Sequence, residues 1–143
     1  MSIRFNYKIR KFRIRQALNH RRWLHKVIVS EGREAGLVNF VFTDDEDIIA
    51  INQEFLKHNY FTDVITFDYS TGESVVGEIY ISINTVQRNA IDYGTTAASE
   101  FRRIMVHGIL HLCGYGDSTG DEIEVMRNRE DGYLKMYNDE FHI

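Results

Sequence analysis

The stretch Met105–Asp117, MVHGILHLCGYGD, decides how the rest of the chain is read. It places His107 and His111 four residues apart, then Gly114, then Asp117. Residues four apart on a helix share one face, about one turn from each other. A glycine three residues past the second histidine suits a left-handed helix cap. The chain can then turn back and carry residue 117 toward the two imidazoles.

Two imidazoles stacked in this way can grip one metal ion, as in H-E-x-x-H zinc helices. The longer pattern H-E-x-x-H-x-x-G-x-x-H has the same spacing. Two letters differ here. Gly108 stands where the glutamate would be, and Asp117 stands where the third histidine would be. The competing account makes both histidines packing residues of an amphipathic helix. A pair at i, i+4, followed by a breaker and then an oxygen donor, favours the metal. Cys113 lies six residues past His107, roughly 240° round the helix, and is expected to point away as a small buried residue.

Composition bounds the class. The 143 residues are expected to form one domain, residues 1–143, with room for a core. An apolar fraction of 43% and a charged fraction of 27% suit a soluble globular protein. No apolar run approaches a membrane span and no secretory leader is read at the N-terminus, so no membrane partner is expected. The lone Cys113 excludes an internal disulfide and agrees with a reducing cytoplasm. The net charge of −4 hides an asymmetry: residues 1–33 hold ten Lys/Arg and one acid, Glu31, leaving −13 on the remainder. A basic segment on an acidic protein is a candidate footprint for a phosphate backbone, set against a plain solvated helix face.

Periodicity gives the element order. Ile3, Phe5 and Tyr7 alternate as a short strand. From about Ile14 the period becomes helical, with Ile14, Leu18, Trp23, Leu24, Val27 and Ile28 on one face, ending near Gly32. Leu37–Thr43 reads as a second strand. Thr43 or Asp44 caps a helix whose apolar face holds Ile48, Ile49, Ile51, Phe55 and Leu56. Thr62–Tyr69 and Val75–Ser82 read as an antiparallel pair. Helices follow at Asn84–Tyr93, Ala97–Leu112 and Asp121–Asn138, the last with Ile123, Met126, Tyr133, Leu134 and Tyr137 inward. The expected fold is α/β (α+β): a small mixed four-stranded sheet packed with about five helices, one of them the zincin-like metal helix.

Three blocks, INQEFLKHNYFTDVITFDY, GEIYISINTV and FRRIMVHGILHLCGYGD, occur in that order. Together they resemble the YbeY family of bacterial endoribonucleases, the rRNA maturation factors, over roughly residues 37–130. The glycine after the first histidine is characteristic of that family. The resemblance implies His107 and His111 as metal ligands, with Asp117 where the third histidine sits. A carboxylate oxygen is an accepted zinc ligand, and Asp121 is the fallback third ligand. The ion implied is one divalent metal, Zn2+ above others. The Asp117 carboxylate adds negative charge and a harder donor, which is expected to alter metal preference and the acidity of bound water.

A second departure lies at Leu56, where the family usually has an arginine. Lys57 is the substitute cation offered as a catalytic residue, although lysine does not replace the arginine fork; its bland reading is an exposed lysine. Thr62, Asp63 and Thr66 flank the third strand and either orient substrate or turn the chain. Asn52, Glu78, Ser82 and Met126 are candidates with structural readings of equal or greater weight. No role is assigned to His20, His25 or His142.

The resemblance implies a metal-dependent single-strand endoribonuclease acting in rRNA maturation, including small-subunit rRNA 3′-end processing, and in ribosome quality control. It implies ribosomal RNA, the small ribosomal subunit, and a ribosomal-protein or GTPase partner, in the cytoplasm. Two alternatives compete. One is a non-catalytic ribosome assembly factor with a structural metal. The other is a zincin-type metallopeptidase, which Gly108 disfavours because it removes the general-base carboxylate.

Overall fold

Alternating apolar residues at the start of the chain produce β1 (Ile3–Tyr7), an edge strand with Ile3 buried. The computed structural model describes residues 2–56 and 64–141. The element order continues α1 (Ala17–Ser30), β2 (Glu34–Thr43), α2 (Asp45–Ile51), a π-helical turn (Asn52–Leu56), β3 (Val64–Asp68), β4 (Ser74–Ser82), α3 (Ile83–Asp92), α4 (Ala97–Leu112) and α5 (Gly120–Glu140). The sheet order is β1-β2-β4-β3. β1 and β4 both run parallel to β2, and β3 runs antiparallel to β4. Among the described residues, the mixed four-stranded sheet with five α-helices is the expected class.

β4 shows why the helices sit where they do. Its residues alternate from Ser74 to Ile81, with Val75, Gly77, Ile79 and Ile81 on the buried face. That face packs on the main core, which includes Trp23, Leu24, Met105, Ile109 and Tyr137. The opposite face meets α2 through a smaller cluster of Ile48, Ile51 and Ile65, with Phe67 and Tyr80 alongside. α4 lies very close to β4. A Cβ on Gly108 would stand 2.8 Å from Ile79 Cγ2, and one on Gly77 would stand 2.9 Å from Leu112 Cδ2. Two missing side chains therefore let the histidine helix press onto the sheet.

Trp23 Nε1 donates to the Tyr133 carbonyl at 2.9 Å and joins α1 to α5. An aromatic group of Phe5, Tyr7, Phe12, Phe42 and Phe101 closes the end of the core near β1.

Several boundaries differ from the periodic reading. α1 begins at Ala17, not Ile14, because Gln16 adopts a left-handed conformation (φ 54°, ψ 47°) that no helix can continue through. Leu18 is 44% exposed and Ile123 51% exposed, so neither faces the core. Phe55 is also exposed, because the helix passes into the π-turn and rotates that side chain outward. β2 starts three residues earlier than expected, at Glu34.

Candidate metal centre

α4 carries both histidines on one face, and its end delivers the third side chain. Thr96 caps its start by accepting from Ser99 N–H. At its end, Gly114 N–H donates to the His111 carbonyl and Tyr115 N–H to the Leu110 carbonyl, each at 3.0 Å. Those two bonds, with Gly114 at φ 102°, form the Schellman arrangement that the glycine spacing predicts. The reversal aims Asp117 back at α4. Thr119 and Glu122 then form a reciprocal capping box that starts α5.

His107, His111 and Asp117 converge. His107 Nε2 and His111 Nε2 are 2.9 Å apart, and Asp117 Oδ2 lies 3.2 Å from the first and 3.3 Å from the second. The side chains of His107 and His111 are 17% and 23% exposed and that of Asp117 44%, so the cluster opens to solvent on one side. Among the described residues this is the one group of three or more His, Cys, Asp or Glu side chains placed to hold a metal. Asp121 is exposed on the first turn of α5 and does not join it. Cys113 stays outside it too, half-buried rather than buried, and burial pushes its thiol up to about 11.

The hydrogen bonds behind the rings show that the group fits a cation. His111 Nδ1 faces the Tyr115 carbonyl at 2.9 Å, an atom that can only accept. His107 Nδ1 faces Glu130 Oε2 at 2.7 Å. Each Nδ1 therefore carries the proton, and in the neutral ring each Nε2 presents a lone pair. Two lone pairs and a carboxylate oxygen then point at one spot. Only a shared positive charge makes that arrangement favourable. Donors about 2.0–2.1 Å from a tetrahedral ion stand about 3.3 Å from one another, close to the spacing found here.

Glu130 is itself held. Its side chain is 7% exposed, and Arg103 Nη1 donates to Oε1 at 2.7 Å while Nη2 reaches Asp131 at 2.6 Å. Tyr115, whose carbonyl fixes His111, is anchored through its hydroxyl, which donates to Glu31 Oε1 at 2.6 Å. Tyr133 also donates to Glu31. Burial, reinforced by the Glu31 carboxylate, raises the phenols of Tyr115 and Tyr133 above their ordinary range. Sequence reasoning missed Glu130, Arg103 and Glu31. Arg103 had a signal, since residues 103, 107 and 111 share a helical face. Glu130 and Glu31 had none, because each reaches the site from another helix.

A cleft of about 350 Å³ opens beside the cluster, lined by His107, Asp117, Arg103, Arg127, Tyr93 and Ile123 among others. Met126 is buried in the core and also forms part of that wall. Ser82 is buried, caps α3 and donates to Asp45, a structural role. Glu78 pairs with Phe67, and Thr66 with Ile79, across the β3–β4 ladder, and Asn52 is buried in the π-turn. Lys57, His58, Thr62 and Asp63 lie outside the described residues, as does His142.

The chain is similar to known proteins over most of its length. The family described as Endoribonuclease YbeY matches residues 4–138. A protein of that name from Flavobacterium psychrophilum is 43% identical over 136 residues, covering 95% of this chain and 96% of the relative. Its namesake from Flavobacterium johnsoniae is 40% identical, covering 95% and 97%. The solution structure of TM1509 from Thermotoga maritima superposes with a TM-score of 0.69 at 27% identity, covering 96% of this chain and 90% of that one. With its histidine pair, its glycine-capped return and its full-length match, the chain belongs to the endoribonuclease YbeY family.

Proposed function

We propose that the protein is a metal-dependent endoribonuclease that cleaves single-stranded ribosomal RNA during maturation, at the 3′ end of small-subunit rRNA and in ribosome quality control. The observation that carries this reading is the meeting of His107 Nε2, His111 Nε2 and Asp117 Oδ2 within 3.3 Å, beside an open cleft. His107, His111 and Asp117 hold one divalent ion, Zn2+ by the nature of the donors. When bound, such an ion polarises a phosphoryl oxygen and supplies an activated water.

The protein's own groups do the rest. Glu130 and the Tyr115 carbonyl hold the imidazoles in the tautomer that leaves Nε2 bare. Arg127 lines the cleft and has no ion pair among the described residues, so its guanidinium is available to a phosphate. Tyr93 and Ile123, 69% and 51% exposed on the same wall, offer apolar surface to an unstacked base. Lys57 remains a candidate catalytic cation.

Gly108 decides against the peptidase. The H-E-x-x-H class needs a glutamate there, and Ile79 leaves no room for one. A non-catalytic assembly factor is disfavoured by membership in a family of endoribonucleases and by the solvent-open donor set. The protein acts as one domain over residues 1–143, in the cytoplasm, with the small ribosomal subunit and a ribosomal-protein or GTPase partner. Among the described residues no helix is long and apolar enough to cross a membrane.

The test pairs metal analysis with cleavage. Purified wild type should carry about one divalent ion per chain and cut an rRNA precursor carrying the unprocessed 3′ end. His111→Ala should lose both while keeping its circular dichroism spectrum. A metal-free wild type that cuts as well as the loaded protein would overturn the reading.

A further inference from the structure

A second cavity lies on the other side of α4. It measures about 440 Å³ and is lined by the segment from Phe12 to Gln16, by His20, by Gln87, and by Ala97, Ala98, Phe101 and Arg102 of α4. Its charge is one-sided. Arg13, Arg15 and Arg102 line it, and among the described residues no aspartate or glutamate does. None of these three arginines has a carboxylate partner among the described residues. Arg13 rests on backbone carbonyls and over the Tyr7 ring. Arg102 lies 4.6 Å above the Tyr137 ring, half-buried, with burial lowering its guanidinium below the ordinary range. A half-desolvated guanidinium without a counter-charge is a standing attraction for an anion.

Three further features point the same way. The first turn of α4, at Ala97 and Ala98, directs its positive end toward this cavity. Phe12 presents a partly exposed ring beside the arginines. Gln16 is the one non-glycine residue with positive φ among the described residues, and it bends the chain at the cavity's mouth. Such strain persists where the surroundings impose it, often at binding sites. Arg102 precedes His107 by five residues, about 7.5 Å along the helix axis and on the other face of α4.

We propose that this cavity is a second RNA subsite, which takes one nucleotide of a single-stranded substrate with its phosphate on Arg15 and Arg102 and its base against Phe12. The proposal rests on the ribonuclease reading, yet its site shares no residue with the metal group. In this role the basic N-terminal segment holds the strand away from the cut.

The experiment measures binding, not cleavage. A labelled single-stranded RNA of about ten nucleotides is titrated with metal-stripped wild type, Arg15→Gln and Arg102→Gln, and fluorescence anisotropy is read at several salt concentrations. Each substitution should weaken binding about three- to tenfold and reduce the salt slope by about 0.7, the value for one phosphate no longer neutralised. Arg15 is exposed, so Arg15→Gln keeps the test valid if Arg102→Gln misfolds. A ribonucleoside 5′-monophosphate should shift the amide resonances of Phe12, Ala97 and Ala98 more than inorganic phosphate does. Unchanged affinity and slope in Arg15→Gln would overturn the subsite, whatever the cleavage assay shows. So would equal losses for an acidic peptide of matching charge, or equal shifts with inorganic phosphate.

Discussion

Glu130 accepts the Nδ1–H of His107 at 2.7 Å across the α4–α5 interface, and the same carboxylate takes a hydrogen bond from Arg103. The nitrogen of His107 that faces the candidate metal position is thus set by a residue 23 positions away. A carboxylate behind a ligand imidazole fixes its tautomer and raises its basicity. Glu130→Ala should therefore weaken metal binding by about 10- to 100-fold, and Glu130→Gln by less, because an amide oxygen still accepts the Nδ1–H. Competition against a calibrated chelator checks this. Equal affinity in Glu130→Ala and wild type would show that His107 needs no such support.

Gly108 is required by packing as much as by chemistry. A methyl there would lie 2.8 Å from Cγ2 and 3.0 Å from Cδ1 of Ile79, which is fully buried in β4. Cγ2 sits on a β-branched carbon with little freedom to move. Alanine gains about 1 kcal/mol of helix propensity over glycine, but overpacking costs about 1–3 kcal/mol. Gly108→Ala should be destabilised by up to about 2 kcal/mol in urea unfolding. Combining it with Ile79→Ala should cost less than the two changes taken separately, since the second removes the clash. Gly108→Glu should fold poorly and show no proteolysis of an unstructured protein.

Much of this arrangement is legible in the sequence, for local reasons. The i, i+4 spacing and the glycine three residues on encode a helix face and its reversal, and both depend on near neighbours alone. The strands at Ile3–Tyr7 and Ser74–Ser82 alternate because one face of each is buried. What stays hidden is what tertiary contacts decide. Ile14 keeps the helical period but lies in a loop, where its N–H donates to the Tyr7 hydroxyl at 3.3 Å. Ile123 keeps the apolar stripe of α5 but lines the cleft. Glu130 looks like any exposed glutamate of a charged helix until α4 supplies His107 and Arg103.

Glu31 holds the loop of the candidate metal centre at one remove. It ends α1, and its side chain, 7% exposed, accepts the hydroxyls of Tyr115 and Tyr133, with Arg129 Nη1 3.6 Å away. Glu31→Ala would leave both hydroxyls without their acceptor and should cost about 2–4 kcal/mol in chemical unfolding. Glu31→Gln should cost less. Both phenols are raised in the folded state, so their contribution is complete below about pH 10 and is lost as the pH climbs through the folded values. The wild type should accordingly lose stability above about pH 10, and Tyr133→Phe should lose less over that range. Parallel alkaline unfolding curves for the two proteins would show that Tyr133 takes no part.

His20 gives the fold an acid limit. It is 5% exposed, packed on Trp23 and Tyr137, with Nδ1 bonded to the Gln16 carbonyl at 3.0 Å. Burial lowers its pKa, the Gln16 carbonyl pulls the other way, and nearby Arg102 adds to the lowering. A depressed folded value means that stability is present above the unfolded pKa of about 6.5 and is lost as the pH falls through the folded one. Thermal unfolding of the wild type should therefore shift to lower temperature as the pH drops below about 6.5. His20→Phe removes the titrating ring and fills similar space, while the His20 backbone N–H bond to the Gln16 carbonyl, 3.1 Å, survives. The variant should lose less stability than the wild type between pH 7 and pH 5. Carboxylates elsewhere titrate in both proteins, so the difference between the two curves isolates this histidine. If the curves remain parallel across that range, the buried ring is not the group that destabilises the folded state in acid.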